Sequence, residues 1–255
     1  MRVTVLGCSG SVFPGYNPPA FLLDDEILFD AGSLASALDD KEQSKIRDIF
    51  ITHAHLDHIR DIPFLADNIV VKKRRQKVNI FGIRPVINTI RKNLLNDSVW
   101  PDFTAIPSNE NAVLRFRTIT EGETIRLKNY FVTAYKVNHS VPAAGYLVED
   151  RKNKCFFYTG DTGPTGSTWK KIGDKKLDCL FIETSFPNGM ADMAALAGHL
   201  TSRLIGEEVR KIKHMPARIC ITHIKPQHLE LVRAEIEKLG LPNIKLLKDG
   251  DVIEI

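Results

Sequence analysis

Apolar residues fall along this chain in short runs separated by turn-forming residues, a pattern that predicts many strands and fewer helices. Val3–Leu6, Ala20–Leu23, Glu26–Phe29 and Ile49–Ile51 read as strands, the second and third as a hairpin turning at Asp24-Asp25. A helix is expected from near Ser33, another from Pro63 to about Arg75, and a third over Arg84–Leu95 with Pro85 near its start. Val78–Phe81 is a strand between the last two. The β pattern resumes at Val113–Ile119, Thr124–Leu127, Tyr130–Val137, Ala144–Val148, Cys155–Tyr158 and Asp178–Glu183. Met190–His214 reads as helical and Pro226–Leu239 as an amphipathic helix closed by Gly240, before final strands at Ile244–Leu247 and Val252–Ile255. Strands followed by helices thus occur twice, with no linker, low-complexity segment or short repeat between. The economical arrangement is α/β (α+β): two mostly β layers with helices outside them, residues 1–255 forming one domain.

Bulk properties narrow this picture only slightly. With 255 residues and a net charge of +4, the chain suits an anionic substrate without demanding one, and is far from a nucleic-acid-coating charge. Cys8, Cys155, Cys179 and Cys220 are widely spaced and lie in or beside apolar runs, which suggests small core residues of a reducing compartment. Met1–Gly7 starts at once as a strand, with no charged-then-apolar leader, and no apolar stretch nears membrane-spanning length. A cytoplasmic protein with no membrane partner is expected.

The distinctive chemistry follows Ile49-Phe50-Ile51. His53, His55, Asp57 and His58 arrive within six positions of one another at the end of that strand. Imidazole and carboxylate are ligands that zinc takes, and they suit manganese and iron as well. Buried without a metal, each would need its own hydrogen-bond partner. His139, Asp161 and His223 each follow another apolar run. These seven residues exceed one tetrahedral site and are about right for two cations sharing a carboxylate.

Other segments leave alternatives open. Gly7-Cys8-Ser9-Gly10-Ser11 is either a phosphate-approaching loop or a plain tight turn. Asp30 supports a histidine ligand or caps the helix near Ser33. Lys72–Lys77 is a solvated helix end favoured by the dipole, or a basic run that draws in anionic substrate. The irregular Asn96–Phe103 carries Trp100, a candidate pocket wall. His214 and His228 have no matching partners and read as surface residues.

H-x-H-x-D-H followed by a lone His, a lone Asp and a last His resembles the metallo-β-lactamase fold superfamily across the whole chain. That resemblance implies a four-layer αββα sandwich with two divalent metal ions, zinc before manganese or iron, in the cleft between the sheets. His53, His55 and His139 would bind the first ion, Asp57, His58 and His223 the second, and Asp161 would bridge them. Within the superfamily, Thr52–Ile59 looks like the signature of the class II cyclic-nucleotide phosphodiesterases and their bacterial relatives. Asp30–Leu34, Trp100–Phe103, His139–Pro142 with Gly145-Tyr146, Tyr158–Pro164, Glu183–Phe186, Gly198–Thr201 and Thr222–Pro226 match as well. Asp61 departs from the small residue found there in many members of the yeast-like branch.

The implied activity is hydrolysis of 3′,5′-cyclic nucleotides, cyclic AMP or cyclic GMP, to nucleoside 5′-monophosphates by a metal-bridging hydroxide. Asp57, His199 and Glu183 are the catalytic candidates. His199 would protonate the leaving oxygen, oriented and kept protonated by Glu183. The plainer readings are a surface histidine capping a helix turn and a strand-end charge. Glu183–Phe186 and Gly198–Thr201 are shared in outline with ribonuclease Z, which processes transfer RNA at its 3′ end. The long glycine- and proline-rich arm of that enzyme has no counterpart between Phe157 and Trp169. A lactonase or thioesterase using the same metals is the other enzymatic alternative, and a binding protein with a degenerate site the non-enzymatic one. Pairing through an exposed face, as a homodimer, would be common for such folds, although the sequence itself does not give the oligomeric state.

Overall fold

The computed structural model describes residues 1–255. The first half of the chain runs β1 (Arg2–Gly7), β2 (Ala20–Leu23), β3 (Ile27–Phe29), α1 (Leu34–Ala37), α2 (Asp40–Gln43), β4 (Asp48–Phe50), α3 (Leu56–Ile59), α4 (Ile62–Val71), β5 (Val78–Gly82), α5 (Arg84–Asn93) and β6 (Leu114–Thr118). The second half runs β7 (Thr124–Arg126), β8 (Tyr130–Lys136), β9 (Ala144–Asp150), β10 (Cys155–Tyr158), α6 (Gly166–Ile172), β11 (Cys179–Glu183), α7 (Ala191–Ala197), α8 (Ser202–Val209), β12 (Ile219–Thr222), α9 (Leu229–Glu237), β13 (Ile244–Leu246) and β14 (Val252–Glu254). They build two seven-stranded sheets, ordered β14-β1-β2-β3-β4-β5-β6 and β13-β12-β11-β10-β9-β8-β7. The carboxyl-terminal strand therefore closes the amino-terminal sheet by pairing with β1.

Alternation along each strand sorts its side chains into layers. Val3, Val5, Phe21, Leu23 and Phe50 from the first sheet meet Phe156, Tyr158, Phe181 and Cys220 from the second in a central core. The alternate residues Ala20, Leu22, Ile49 and Ile51 face outward onto helices including α4 and α5. Phe157, Leu180, Ile182 and Ile221 likewise face α6, α8 and α9. Residues buried on both faces explain why these strands read as continuous apolar runs. The result is the expected αββα sandwich. Phe50 anchors the middle layer, stacked on Phe81 with centroids 4.6 Å apart and on Phe29 at 5.5 Å. Burying each such ring contributes on the order of 1.5–3 kcal/mol.

Strand direction carries the site. In the first sheet β3, β4, β5 and β6 are mutually parallel. In the second, β10, β11 and β12 are parallel to one another, and β8 runs with them because β9 is antiparallel to both β8 and β10. The carboxyl ends of β8, β10, β11 and β12 therefore open on one rim. His139, Asp161, Glu183 and His223 lie on those ends.

Several helices differ from their expected extents. α4 stops at Val71, so Lys72–Lys77 is a connection into β5 rather than the end of a helix. The expected helix Met190–His214 is broken: α7 ends at Gly198, whose φ of 73° is left-handed, and α8 begins only at Ser202. Helical periodicity alone hides such a break, because Gly198 costs only about 1 kcal/mol in a helix and its backbone freedom is what the turn uses. The segment from Pro226 starts as a 3₁₀ turn before α9. α2 and α6 were not anticipated; α6 has seven residues and α2 four.

Candidate metal and acid–base site

β4 ends at Phe50, and the chain then turns through Thr52 and His53 into the one-turn helix α3. That turn buries His58 completely and leaves Asp57 with 31% of its side chain exposed toward the cleft. His53 Nε2 lies 3.0 Å from His55 Nδ1, which in turn lies 3.3 Å from His139 Nε2. Asp161 Oδ2 stands 3.6 Å from His53 Nε2, 3.4 Å from His58 Nε2 and 3.3 Å from His223 Nε2. Asp57 Oδ2 lies 3.4 Å from His223 Nε2. All seven residues singled out in the sequence therefore converge. They form one group of His53, His55, His139 and Asp161 and a second of Asp57, His58 and His223, the potential ligand atoms within each lying inside 4.8 Å of one another.

Hydrogen bonds behind the rings set which nitrogen faces the centre. Asp30 has a left-handed φ of 57° and is wholly buried. Its Oδ2 accepts from His58 Nδ1 at 2.7 Å and from the Tyr158 hydroxyl at 2.8 Å. Its Oδ1 accepts from the Thr52 N–H at 2.8 Å. Of the two roles open to Asp30, this one holds His58; the capping role falls to Asp61, whose Oδ2 accepts from the Ala35 N–H at the start of α1. The Thr52 hydroxyl also donates to Asp30, leaving its oxygen to accept from His53 Nδ1 at 3.1 Å. His139 Nδ1 donates to the Gly198 carbonyl at 2.8 Å. With protons held on those outer nitrogens, the Nε2 lone pairs of His53, His58 and His139 point inward.

This arrangement fits divalent cations. His58 Nε2 is buried without a hydrogen-bond partner. Lone-pair nitrogens and carboxylate oxygens at 3.0–3.6 Å repel unless a positive charge lies between them. Burial, with the neighbouring His58, pushes the His53 imidazole well below its ordinary range, toward the neutral form that binds a metal. Burial acts against a charged His58, but Asp161, Asp30 and Asp57 outweigh it and raise that imidazole, and the histidine charge in turn holds the buried Asp161 carboxyl well below the usual carboxylate range, so the cluster draws positive charge to its centre.

The residues Gly7 to Gly10 are a packing device rather than a phosphate cradle. Cys8 N–H donates to Asp249, Ser9 N–H to the Asn17 carbonyl and Gly10 N–H to the Ile224 carbonyl. A Cβ on Gly10 would lie 2.4 Å from the His223 carbonyl oxygen and 2.8 Å from its Nδ1. His223 itself has a left-handed φ of 63°, held by its N–H donating to the Cys8 carbonyl at 2.6 Å.

Beside the cluster, His199 Nδ1 lies 2.6 Å from Glu183 Oε1, with Glu183 wholly buried. The His199 ring stacks on His223 at 5.3 Å and stands 5.0 Å from His139. Burial lowers the His199 imidazole, but the Glu183 charge and hydrogen bond, with Asp161, outweigh it and raise the pKa overall. Ser185 lies within the matching stretch Glu183–Phe186, which by itself assigns it no role. Its hydroxyl lies 2.7 Å from His223 Nδ1 and 3.1 Å from His199 Nδ1 and donates to Glu183 at 3.3 Å. Its place two residues past Glu183, at the end of a buried strand, was the available signal.

His228 is half-buried and 6.5 Å from the Phe186 ring, and His214 faces Asp174. Neither joins the cluster. Trp100 packs edge-on against Phe64 at 5.3 Å, among the helices outside the first sheet. The four thiols are free, Cys179 and Cys220 facing each other at 3.6 Å in the core.

The family described as Beta-lactamase superfamily domain matches residues 26–224, from β3 to just past His223. The chain belongs to this superfamily. Its fold implies divalent metal ions, and the His/Asp cluster fits them. A relative from Yersinia pestis called "Probable 3′,5′-cyclic-nucleotide phosphodiesterase" is 27% identical over 82% of this chain and 68% of its own length. A protein from Methanococcus maripaludis strain C5 called "Ribonuclease Z" is 34% identical over 100% of this chain and 97% of its own. The crystal structure of unliganded yeast PDE1 superposes with a TM-score of 0.82, at 19% identity and 98% coverage of both chains. The superfamily member is thus a hydrolase with cyclic-nucleotide phosphodiesterase homologues. No helix is long and apolar enough to cross a membrane.

Proposed function

We propose that this superfamily hydrolase acts on phosphodiesters, opening 3′,5′-cyclic nucleotides to nucleoside 5′-monophosphates. The observation that supports this most is the buried Glu183–His199 pair set against the metal-ligand cluster. A sugar alkoxide leaves poorly and needs a proton. Glu183 takes one imidazole nitrogen, so His199 Nε2 is free to donate that proton to the 3′-oxygen as its bond to phosphorus breaks.

His53, His55 and His139 would hold one divalent cation, Asp57, His58 and His223 a second, and Asp161 would touch both. When bound, the cations neutralise phosphoryl oxygens and acidify water. Asp57, half-exposed at the cleft, orients the attacking water and accepts its proton at Oδ2. Ser185 keeps His199 and His223 in fixed relation. Lys225, whose Nζ lies 5.4 Å over the Phe186 ring beside His199, adds positive charge for an anionic substrate.

Ribonuclease Z-like cleavage of transfer-RNA precursors is the second reading, favoured by the full-length 34% match. Against it, that alignment runs over 313 positions while this chain has 255 residues, so the relative carries segments lacking here. A thioesterase would have less need of an acid partner, since a thiolate leaves more readily than an alkoxide.

The decisive assay offers the metal-loaded protein cyclic AMP, cyclic GMP, 2′,3′-cyclic nucleotides, a transfer-RNA precursor and a lactone. The proposal expects 5′-monophosphate from a 3′,5′-cyclic nucleotide. Turnover confined to the precursor or the lactone would refute it.

A further inference from the structure

A cavity of about 470 Å³ opens on the same rim as the metal-ligand cluster, beyond the β12–β13 side of it. Its volume falls in the range of small-molecule sites. None of the seven ligand residues lines it, nor does His199 or Glu183. Its body is apolar, with Ile224, Leu229 and Leu247 in the walls. Tyr16, on the loop after β1, lines it with 37% of its surface exposed, leaving an aromatic face for a flat ligand.

Charge at this cavity is lopsided. Arg233 of α9 has as its carboxylate neighbour Glu230, 3.6 Å away and 83% exposed, a pairing of little strength. Lys248 is exposed and has no ion pair. The carboxylate in the wall, Asp249, is turned inward, accepting from the backbone N–H groups of Cys8 at 3.1 Å and Asn17 at 2.8 Å. Two available cations at an apolar slot with an aromatic face select a flat apolar body carrying an anionic group.

The inner wall also belongs to the catalytic centre. Cys8, Ser9, Thr222 and Ile224 line the cavity, and the same residues hold His223 between them. The Cys8 carbonyl accepts from the His223 N–H and the Thr222 hydroxyl, and Ser9 bridges to Ile224. A ligand seated here therefore touches the backbone that keeps His223 at its left-handed φ of 63°.

We propose that this cavity is a second ligand site, separate from the metal-ligand cluster, that takes a nucleoside monophosphate. The base lies against Tyr16 and the apolar walls, and the phosphate meets Arg233 and Lys248. The choice of nucleotide rests on the proposed activity, which would generate it; the site itself rests on the cavity and its charges.

The test is equilibrium binding of AMP, adenosine and inorganic phosphate by calorimetry, to the metal-loaded protein and to its Asp161→Ala variant. AMP is expected to bind Asp161→Ala, and to bind at least tenfold more tightly than adenosine or phosphate alone. The double variant Arg233→Glu/Lys248→Glu should lose that binding by tenfold or more while cyclic-nucleotide turnover continues. Leu229→Trp, which fills the slot, should lose it as well. Should Asp161→Ala fold poorly, wild-type protein stripped with chelator replaces it. AMP affinity unchanged by the charge reversals, or equal to that of adenosine, would overturn the site. Hydrolysis failing while AMP binding survives would instead overturn the proposed activity and leave the site standing.

Discussion

Asp30→Asn isolates the part of the cluster that orients rather than binds. Asparagine tolerates the left-handed φ of 57° at this position, so the backbone stays as it is. The amide oxygen can keep the place of Oδ1 and still accept from Thr52. The amide nitrogen then replaces Oδ2, which now accepts from His58 Nδ1 and from the Tyr158 hydroxyl. The tyrosine hydroxyl can rotate and accept instead. His58 has no such freedom: its Nδ1 would have to accept, which drives its proton onto Nε2, the nitrogen aimed at Asp161 and buried without another partner. Restoring the productive tautomer forfeits a hydrogen bond to a charged group, worth about 1.5–3 kcal/mol. At about 1.36 kcal/mol per tenfold, that is roughly 10–100-fold in metal affinity, the range typical of orienting partners. Chelator competition gives the affinity directly, and circular dichroism confirms that the fold survives. Metal affinity within twofold of wild type in folded Asp30→Asn would refute the tautomer argument.

Further outcomes follow from the same geometry. Asp161→Ala should lose both metals and all turnover, read by elemental analysis alongside the assay, because its Oδ2 faces His53, His58 and His223 together. His199→Ala should keep its metals yet slow an alkyl phosphodiester by about 10²–10⁴-fold, with the defect hidden for a nitrophenyl ester; an unimpaired alkyl rate would end its role as donor. The raised pKa of His199 lets the donor form persist to higher pH than in an ordinary histidine, and that form is lost as pH climbs through the pKa, so activity should fall on the alkaline side. Glu183→Gln removes the larger of the influences that raise it and leaves Asp161 alone against burial, so the alkaline limb should move to lower pH. Phe50→Ala, at the stacked centre of the middle layer, should cost about 3–5 kcal/mol and lower Tm by on the order of 10 °C, read by thermal unfolding.

Much of this protein was legible in short stretches of sequence because the relevant physics is local. A strand buried on both faces must be apolar throughout, which made Cys155–Tyr158 and Cys179–Glu183 readable nearly to the residue. A polar ligand type just past such a strand stands at a sheet rim wherever the strand goes, so His53, His139, Asp161 and His223 could be named before their neighbours were known. The one-turn helix Leu56–Ile59 was less visible, since a single turn has no periodicity to detect.

Tertiary structure decided the matters in which two candidates compete for one partner. Asp30 could have capped the helix near Ser33; sheet packing instead brought it under His58 and left the Ala35 N–H to Asp61. Gly7 to Gly10 had the composition of an anion loop, but its N–H groups were claimed by Asp249, Asn17 and Ile224 from distant segments. The helix expected over Met190–His214 gave way at Gly198, because its carbonyl must meet His139 and the next residue must meet Glu183. Residue type and strand position, which are properties of the chain, thus determined what chemistry was available. Which hydrogen-bond partner each group obtained depended on long-range approach between strands of two sheets, a distance that no local pattern encodes.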